Sequence, residues 1–139
     1  MKSKREARIQ QDRLSRAGEL KAAIAALEAE IEQISASGEV APPDCWLMRY
    51  RARGYKGTYW YYKLQAREPI FRSPGGTGKK SRYKHLGKAG SAAHLAAALS
   101  LARRAKIDGI GRILNSLHES WLELYEEHKS AELKESMRE

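Results

Sequence analysis

The chain has little of several things that would point to a particular class of protein. Its 139 residues include a single cysteine, Cys45, which excludes an internal disulfide and an all-cysteine metal site. Such sparing use of cysteine is typical of proteins kept in a reducing compartment. No apolar run approaches the roughly 18 residues that a membrane span needs, and the charged N-terminal segment predicts no secretory signal. We therefore expect a soluble, cytoplasmic protein with no membrane partner.

Residues suited to catalysis or to metal binding are also few. The four histidines show no metal-ligand spacing. The glycine-rich stretch SPGGTGKKS does not match a phosphate-binding loop, because Ser73 stands where that motif requires glycine and Lys80 stands where it requires serine or threonine. Residues 45–90 contain one carboxylate, Glu68, so the acidic cluster of a metal-dependent nuclease is missing from them. We expect a non-enzymatic protein without metal, cofactor or small-molecule substrate.

Positive charge is concentrated in the middle third of the chain. The net charge is +9, yet residues 1–44 and 91–139 each hold 7 Lys/Arg and 8 Asp/Glu, whereas residues 45–90 hold 12 Lys/Arg and one Glu. The same middle segment holds nine of the eleven aromatic residues. A protein that is merely alkaline would spread its charge evenly. Concentrated cations with interleaved aromatics are typical of a surface that binds nucleic acid.

Two apolar rows at coiled-coil spacing flank this basic segment. Residues 1–37 predict a coiled-coil-like helix, and residues 107–139 predict a C-terminal amphipathic helix. The rows consist of Leu20, Ile24, Leu27, Ile31 and Ile34 in the first helix, and Leu114, Leu117, Trp121 and Leu124 in the second. A long helix with a narrow apolar seam needs a partner. The rows could pair antiparallel in one chain or between copies, and we favour self-association, as a homodimer or with a helical partner protein.

Between these helices we predict a linker, 38–45, and a basic β-rich module with its own helix, 46–106. Aromatic and β-branched density predicts three strands, with the turn of the first hairpin at Gly54–Gly57 and a flexible loop at Ser73–Lys80. The fold class is therefore α+β: a long N-terminal helix, a small three-stranded antiparallel sheet, a backing helix and a C-terminal helix.

The backing helix has its own sequence signals. Ser91 is suited to cap its N-terminus. The spacing of Leu95, Leu99 and Ala102 predicts that these side chains face the sheet. The glycines of the segment 108–111 predict a break or kink before the C-terminal helix begins.

Strand periodicity predicts which side chains share a face. Side chains alternate between the two faces of a strand, so the first strand places three arginines together, and the second places Tyr59 and Tyr61 together with Lys63. We expect folding to gather the surplus cations onto one exposed surface. The candidate nucleic-acid contacts are Arg49, Arg51, Arg53, Lys56, Tyr59, Tyr61, Lys63, Gln65, Lys79, Lys80, Arg82 and Lys84.

The segments TYWYYKLQA and SRYKHLGKAGSAAHLAAALSLARRA carry a resemblance to a known family. Tyr83, Leu86 and Gly87, with the alanine-rich run after Ser91, make this region similar to AP2 and integrase arm-type DNA-binding domains. The resemblance covers residues 46–104 at most, and the loop at 73–80 is longer than such domains usually show. It implies a three-stranded sheet that lies in the major groove of duplex DNA and is backed by a helix.

These observations favour a DNA-binding protein, a regulator or accessory factor of a mobile element or phage. Arginine and lysine would contact phosphates, and a few side chains such as Gln65 would read bases. Two alternatives stay open. One is an RNA-binding ribonucleoprotein component, in which tyrosines stack on unpaired bases. The other is a coiled-coil assembly or adaptor protein whose basic surface meets an acidic protein partner.

Overall fold

The computed structural model of the protein describes residues 3–73, 75–76 and 78–138. Pro74 and Thr77, which belong to the predicted loop, and residues 1, 2 and 139 lie outside that description. The elements are α1 (Lys4–Ser37), β1 (Cys45–Gly54), β2 (Gly57–Ala66), β3 (Phe71–Arg72), β4 (Lys80–Ser81), β5 (Tyr83–Lys88) and α2 (Ala92–Arg138). This confirms the α+β class. The chain divides into a two-helix unit, up to Gln33 and from Asp108, and a sheet unit, Ile34–Ile107.

In the two-helix unit, α1 packs against the part of α2 that follows Asp108. A capping box begins α1: the Ser3 hydroxyl accepts a hydrogen bond from the Glu6 amide at 3.1 Å, and the Ser3 amide donates to the Glu6 carboxylate at 3.4 Å. Arg16 forms an ion pair with Glu127 at 2.9 Å, while Glu6 pairs with Arg138 at 2.7 Å. Because the earlier residue of α1 meets the later residue of α2, the helices run antiparallel.

Members of both predicted apolar rows lie between the helices of this unit. Leu20 of α1 and Leu124 of α2 line one groove between the helices, and Leu114 is buried. Most other row members are half-buried, but Trp121 is exposed, and Ile34 belongs to the sheet unit. Of the two pairings that the sequence leaves open, the structure has the one within the chain. Self-association of the protein stays a prediction.

The predicted break at 108–111 is wrong, because α2 is helical without interruption from Ala92 to Arg138. Glycine costs a helix interior about 1 kcal/mol relative to alanine, which is a weak preference that tertiary packing overrides. Half-buried Ile110 and buried Leu114 lie on the seam side directly beside Gly109 and Gly111.

The sheet unit contains an antiparallel three-stranded sheet in the order β1-β2-β5, and a second, two-stranded sheet of β3 and β4. Gly54 pairs with Gly57, so the first hairpin turns where the sequence predicts. A bulge interrupts the β2–β5 ladder next to Tyr62 and Lys63, where Gly87 adopts φ 89°. This bulge brings buried Leu86 into the core.

The core of the sheet unit lies between one face of the sheet and the first turns of α2. Leu64, Leu86 and Ala97 form its buried centre, and Leu47 and Leu101 pack around it. The prediction that Leu95, Leu99 and Ala102 face inward is wrong, since Leu95 and Leu99 are 51% and 57% exposed and Ala102 is exposed as well. Ala97 and Leu101 belong to the core instead, and buried Ser100 lies against Ala41 of the predicted linker.

The N-terminus of α2 is capped as predicted. The Ser91 hydroxyl accepts a hydrogen bond from the His94 amide at 3.2 Å and donates to the Leu86 carbonyl at 2.8 Å. His94 Nδ1 accepts from the Gly90 amide at 3.0 Å, and the imidazole stacks on the Tyr62 ring with centroids 3.8 Å apart. The cap therefore attaches α2 to both β5 and β2.

The predicted linker lies along α2 and is held there by backbone and arginine contacts. Buried Ala41 donates its amide to the Ser100 carbonyl at 3.1 Å, and its own carbonyl accepts from Arg104 at 2.7 Å. Arg103 donates to the Glu39 carbonyl at 3.0 Å. These arginines are structural: they satisfy carbonyls of a segment that has no strand partner.

Candidate nucleic-acid interface

Strand register determines which side chains share a face of the three-stranded sheet. Residues directly opposite each other in an antiparallel pair project to the same side. Leu47 lies opposite Leu64 and both belong to the core, so their face is the one toward α2, called here the helix-side face. The other side, called here the open face, has its members on all three strands: Trp46, Met48, Tyr50, Ala52, Tyr59, Tyr61, Lys63, Gln65, Tyr83, His85 and Lys88.

The open face is a connected layer of rings and cations. Tyr50 stacks on Tyr61 with centroids 5.9 Å apart, and its hydroxyl is hydrogen-bonded to His85 Nδ1 at 3.0 Å. The Lys63 ammonium lies 4.2 Å from the ring centroid of Tyr83 and 5.3 Å from that of Tyr50. Every ring or cation contact recorded for this face in the described residues joins two of its own members. The open face is therefore available to a partner.

A second lysine, Lys88 of β5, extends the same layer of the open face. Lys88 pairs with Tyr61 across the ladder, and its ammonium lies 4.0 Å from the ring centroid of Tyr59. Gln65 lies opposite Tyr83 on this face. A cation above an aromatic ring keeps its full positive charge while the ring limits its motion. The open face thus presents positioned cations between flat apolar surfaces.

The helix-side face changes character along the hairpin. Near the start of β1 it is core, but toward the turn its side chains are exposed: Arg49, Arg51, Arg53 and Trp60. The guanidinium carbon of Arg49 lies 4.2 Å from the Trp60 ring centroid, and that of Arg51 lies 5.1 Å away. These four residues are called here the arginine–tryptophan group.

The expectation that folding gathers the surplus cations onto one surface is wrong. The register places Arg49, Arg51 and Arg53 on the helix-side face, opposite Tyr62, Trp60 and Thr58, whereas Tyr59, Tyr61, Lys63 and Gln65 lie on the open face. Each within-strand grouping that periodicity predicts is confirmed. The error is the assumption that the arginines of β1 and the tyrosines of β2 share a face. The hairpin register decides which residues of β2 lie on the same face as a given residue of β1.

The other predicted contacts lie around these two faces. Lys56 is exposed within the hairpin turn, and Lys84 is exposed on the edge strand β5, where it lies opposite Leu64 on the helix-side face. Lys80 lies opposite Arg72 in the small β3–β4 ladder, next to exposed Lys79. Exposed Arg82 accepts a hydrogen bond at its carbonyl from the Ala66 amide.

Sequence reasoning missed several residues of these surfaces. Tyr50, His85 and Lys88 belong to the open face, and Trp60 positions two arginines on the other side. The turn Gly54–Gly57 carries a signal that could have found Tyr50 and Trp60, because a two-residue turn implies the pairs Tyr50–Tyr61 and Arg51–Trp60. Lys88 could not be found in this way, because the bulge shifts its register.

Carboxylates do not neutralise these cations. In the part of the chain that the structure describes, no recorded ion pair includes a lysine or arginine of residues 45–90, and the pairs at Arg16, His128 and Arg138 all belong to the two-helix unit. Arg72 lies directly opposite Lys80, and like charges opposite each other destabilise a strand pair. The sheet unit therefore carries electrostatic repulsion that a bound polyanion would relieve.

Burial raises the pKa of the Cys45 thiol, and Asp44 adds to the effect, so the thiol is a poor nucleophile near neutral pH. No group of three or more His, Cys, Asp or Glu side chains that could hold a metal ion is found among the described residues. Within the same residues, neither helix combines the length and apolarity needed to cross a bilayer.

Comparisons of the chain with protein-family models, with curated proteins and with solved structures find no match.

Proposed function

We propose that this protein is a non-enzymatic DNA-binding protein, a regulator or accessory factor of a mobile element or phage, whose sheet unit contacts duplex DNA. One observation carries the proposal: four cations of the sheet unit, Arg49, Arg51, Lys63 and Lys88, lie over aromatic rings, and among the described residues no recorded ion pair with a carboxylate includes them. A ring holds a cation in place without cancelling its charge. The charge is thus available to an external anion.

A polyanion with closely spaced charges suits this surface better than a single small anion. The cations are distributed over the sheet unit, from Lys56 in the hairpin turn to Lys80 in the β3–β4 ladder and Lys79 beside it. Duplex DNA presents one phosphate charge per roughly 1.7 Å of helix axis, so it can meet many separated cations at once. Each contact releases a condensed counterion, which supplies affinity that depends on salt.

The fold favours duplex DNA as that polyanion. A three-stranded antiparallel sheet with a helix on one face has the architecture implied by the resemblance to AP2 and integrase arm-type domains. The major groove of B-form DNA is about 12 Å wide and admits a β-ribbon, whereas the major groove of A-form RNA is too deep and narrow for side chains to read. On the open face, Gln65 has the chemistry to bond adenine.

The aromatic content of the open face supports one alternative, the binding of unpaired bases in RNA. Tyr83 is 42% exposed and lies beside Lys63, as a base-stacking platform would require. Competition at fixed salt between duplex DNA, single-stranded DNA and structured RNA separates the two functions. We expect duplex DNA to compete best. Markedly tighter binding to RNA or to single strands would replace our proposal with this alternative.

Salt-titrated binding to a labelled mixed-sequence duplex tests the proposal itself. We expect the affinity of the wild type to fall steeply with salt, and Lys63→Gln with Lys88→Gln to flatten the log–log slope by about two units, at about 0.9 per lost phosphate contact. The matched control removes two exposed charges from the two-helix unit, Lys21→Gln with Lys134→Gln. Absence of wild-type binding, or equal effects of both double variants, would contradict the proposal.

A further inference from the structure

The arginine–tryptophan group lies on the side of the sheet that a simple sheet-on-DNA arrangement leaves unused. Its three arginines project from alternate positions of β1, and Trp60 lies opposite Arg51 in the ladder. The core occupies the other end of this face, at Leu47 and Leu64. Toward the turn the hairpin therefore has solvent on both faces.

The arginines do more than shield the apolar ring of Trp60 from water. One guanidinium above Trp60 would shield much of it, but Arg49 and Arg51 both lie within 5.1 Å of its centroid, and the ring is still 42% exposed. Arg53 is exposed, and no ion pair or ring contact in the described part of the chain includes it. Three like charges at alternate positions of one strand repel each other, weakly in water, and a bound anion would relieve that repulsion.

We propose that the arginine–tryptophan group is a second phosphate-binding surface, which contacts one backbone strand of a duplex while the open face contacts the other strand across the same groove. This inference rests on the proposed function. Lys63 and Lys88 of the open face and the arginines of the helix-side face point to opposite sides of one sheet layer. A flat polyanionic surface could meet only one of these sides, but the two walls of a groove can meet both.

The dimensions agree with this arrangement. Sheets packed face to face lie about 10 Å apart, which is the space that one sheet layer takes up in a stack, and the major groove of B-form DNA is about 12 Å wide. The end of the hairpin that would enter is free of core contacts, and it carries Lys56 and the 97% exposed Tyr55 in its turn. Trp60 acts as a positioning residue, because its ring holds two guanidiniums in a row along the strand.

Three variants of the full-length chain separate this inference from the proposed function. The helix-side variant carries Arg49→Gln, Arg51→Gln and Arg53→Gln; the open-face variant carries Lys63→Gln and Lys88→Gln; the control removes three exposed charges from the two-helix unit, Lys4→Gln, Lys21→Gln and Lys134→Gln. Each is titrated with salt against one labelled duplex. We expect slopes flattened by nearly 3 units and by nearly 2 units for the first two variants, at about 0.9 per contact, and a nearly unchanged slope for the control.

The outcomes are distinguishable. A flattened slope in the open-face variant alone would overturn the second surface and leave DNA binding standing, whereas a wild type that does not bind would overturn both. If the helix-side variant lost only the ability to bring two differently labelled duplexes together, measured by energy transfer between them, the two faces would serve different duplexes and the single-groove inference would be wrong. Arg49→Lys, Arg51→Lys and Arg53→Lys together should restore the slope, which separates lost charge from lost folding.

Discussion

The two units of this protein use the same cationic side chains in opposite ways. In the two-helix unit, Arg16 lies between Asp12 and Glu127, and the hydrogen bond that its guanidinium donates to Glu127 raises the pKa of Arg16. In the sheet unit, Arg49 and Arg51 lie on Trp60 instead. Carboxylate pairing satisfies a charge within the molecule, while ring contact positions the charge and leaves it unneutralised.

The units also differ in how they exclude water. The sheet unit has a buried centre at Leu64, Leu86 and Ala97. The two-helix unit is a single seam: α1 has no buried residue, and apolar side chains such as Leu14 and Tyr125 are more than half exposed. A two-helix seam buries less apolar area per residue than a sheet packed on a helix. The sheet unit is therefore expected to depend more strongly on single core residues.

Truncation of a core leucine is expected to have the largest effect. Leu64→Ala removes a side chain that is 5% exposed and should lower the free energy of unfolding by about 2–5 kcal/mol. Leu20→Ala in the half-buried seam should cost about half as much, because less area returns to water. Denaturant unfolding, monitored by the hydrogen exchange of amides in β2 and in α1, measures the loss in unfolding free energy for each variant. Equal losses would remove the distinction between a core and a seam.

Loss of a helix cap ranks second. Ser91→Ala removes the acceptor of the His94 amide hydrogen bond and the donor to the Leu86 carbonyl, so we expect a loss of about 1–2 kcal/mol. Ser3→Ala is the matched change at the other helix, where the capping hydrogen bond is exposed to solvent, and it should cost less than about 1 kcal/mol. Thermal unfolding of the two variants compares them. A larger loss for Ser3→Ala would contradict this ranking.

Two glycines should respond to alanine with opposite signs. Gly111 lies inside α2 and an added Cβ would meet nothing within 4 Å, so Gly111→Ala should stabilise by about 1 kcal/mol. Gly87 has φ 89° at the bulge and its added Cβ would lie 3.4 Å from the Ser91 hydroxyl, so Gly87→Ala should destabilise by about 1–2 kcal/mol. Denaturation midpoints measure both changes. A destabilising Gly111→Ala would mean that the helix is not continuous there.

Removal of a surface ion pair should have the smallest effect. Arg16→Gln breaks contacts between side chains that are about half exposed, so we expect a loss of less than about 1 kcal/mol that shrinks further at high salt. Arg49→Gln, by contrast, should leave stability nearly unchanged or raise it slightly, because it relieves repulsion among three arginines. Unfolding at low and high salt tests the contrast. A large loss for Arg49→Gln would show that the arginine–tryptophan group is structural.

Much of the local structure is readable in the sequence. The density of aromatics from Thr58 to Gln65 predicts β2, the glycines at 54 and 57 predict the turn, and Ser91 predicts the start of α2; all three agree with the structure. These signals are local, since each depends on the conformational preferences of a few neighbouring residues. The buried face of α2 cannot be predicted in the same way. Exposed Leu95 and buried Ala97 lie on different faces of the helix, and the neighbouring sheet decides which face is buried.

The candidate site, too, is partly predictable from local sequence and partly decided by tertiary structure. Composition alone determines that residues 45–90 carry 12 cations, one carboxylate and nine aromatic rings, and periodicity determines that three arginines share a face. Only the tertiary structure decides that these arginines lie on the side of α2, because strand register, the bulge at Gly87 and the helix position join distant segments. A shift of one residue would reverse every face. Charge is a property of the residues present, whereas the surface that displays it is a property of their pairing.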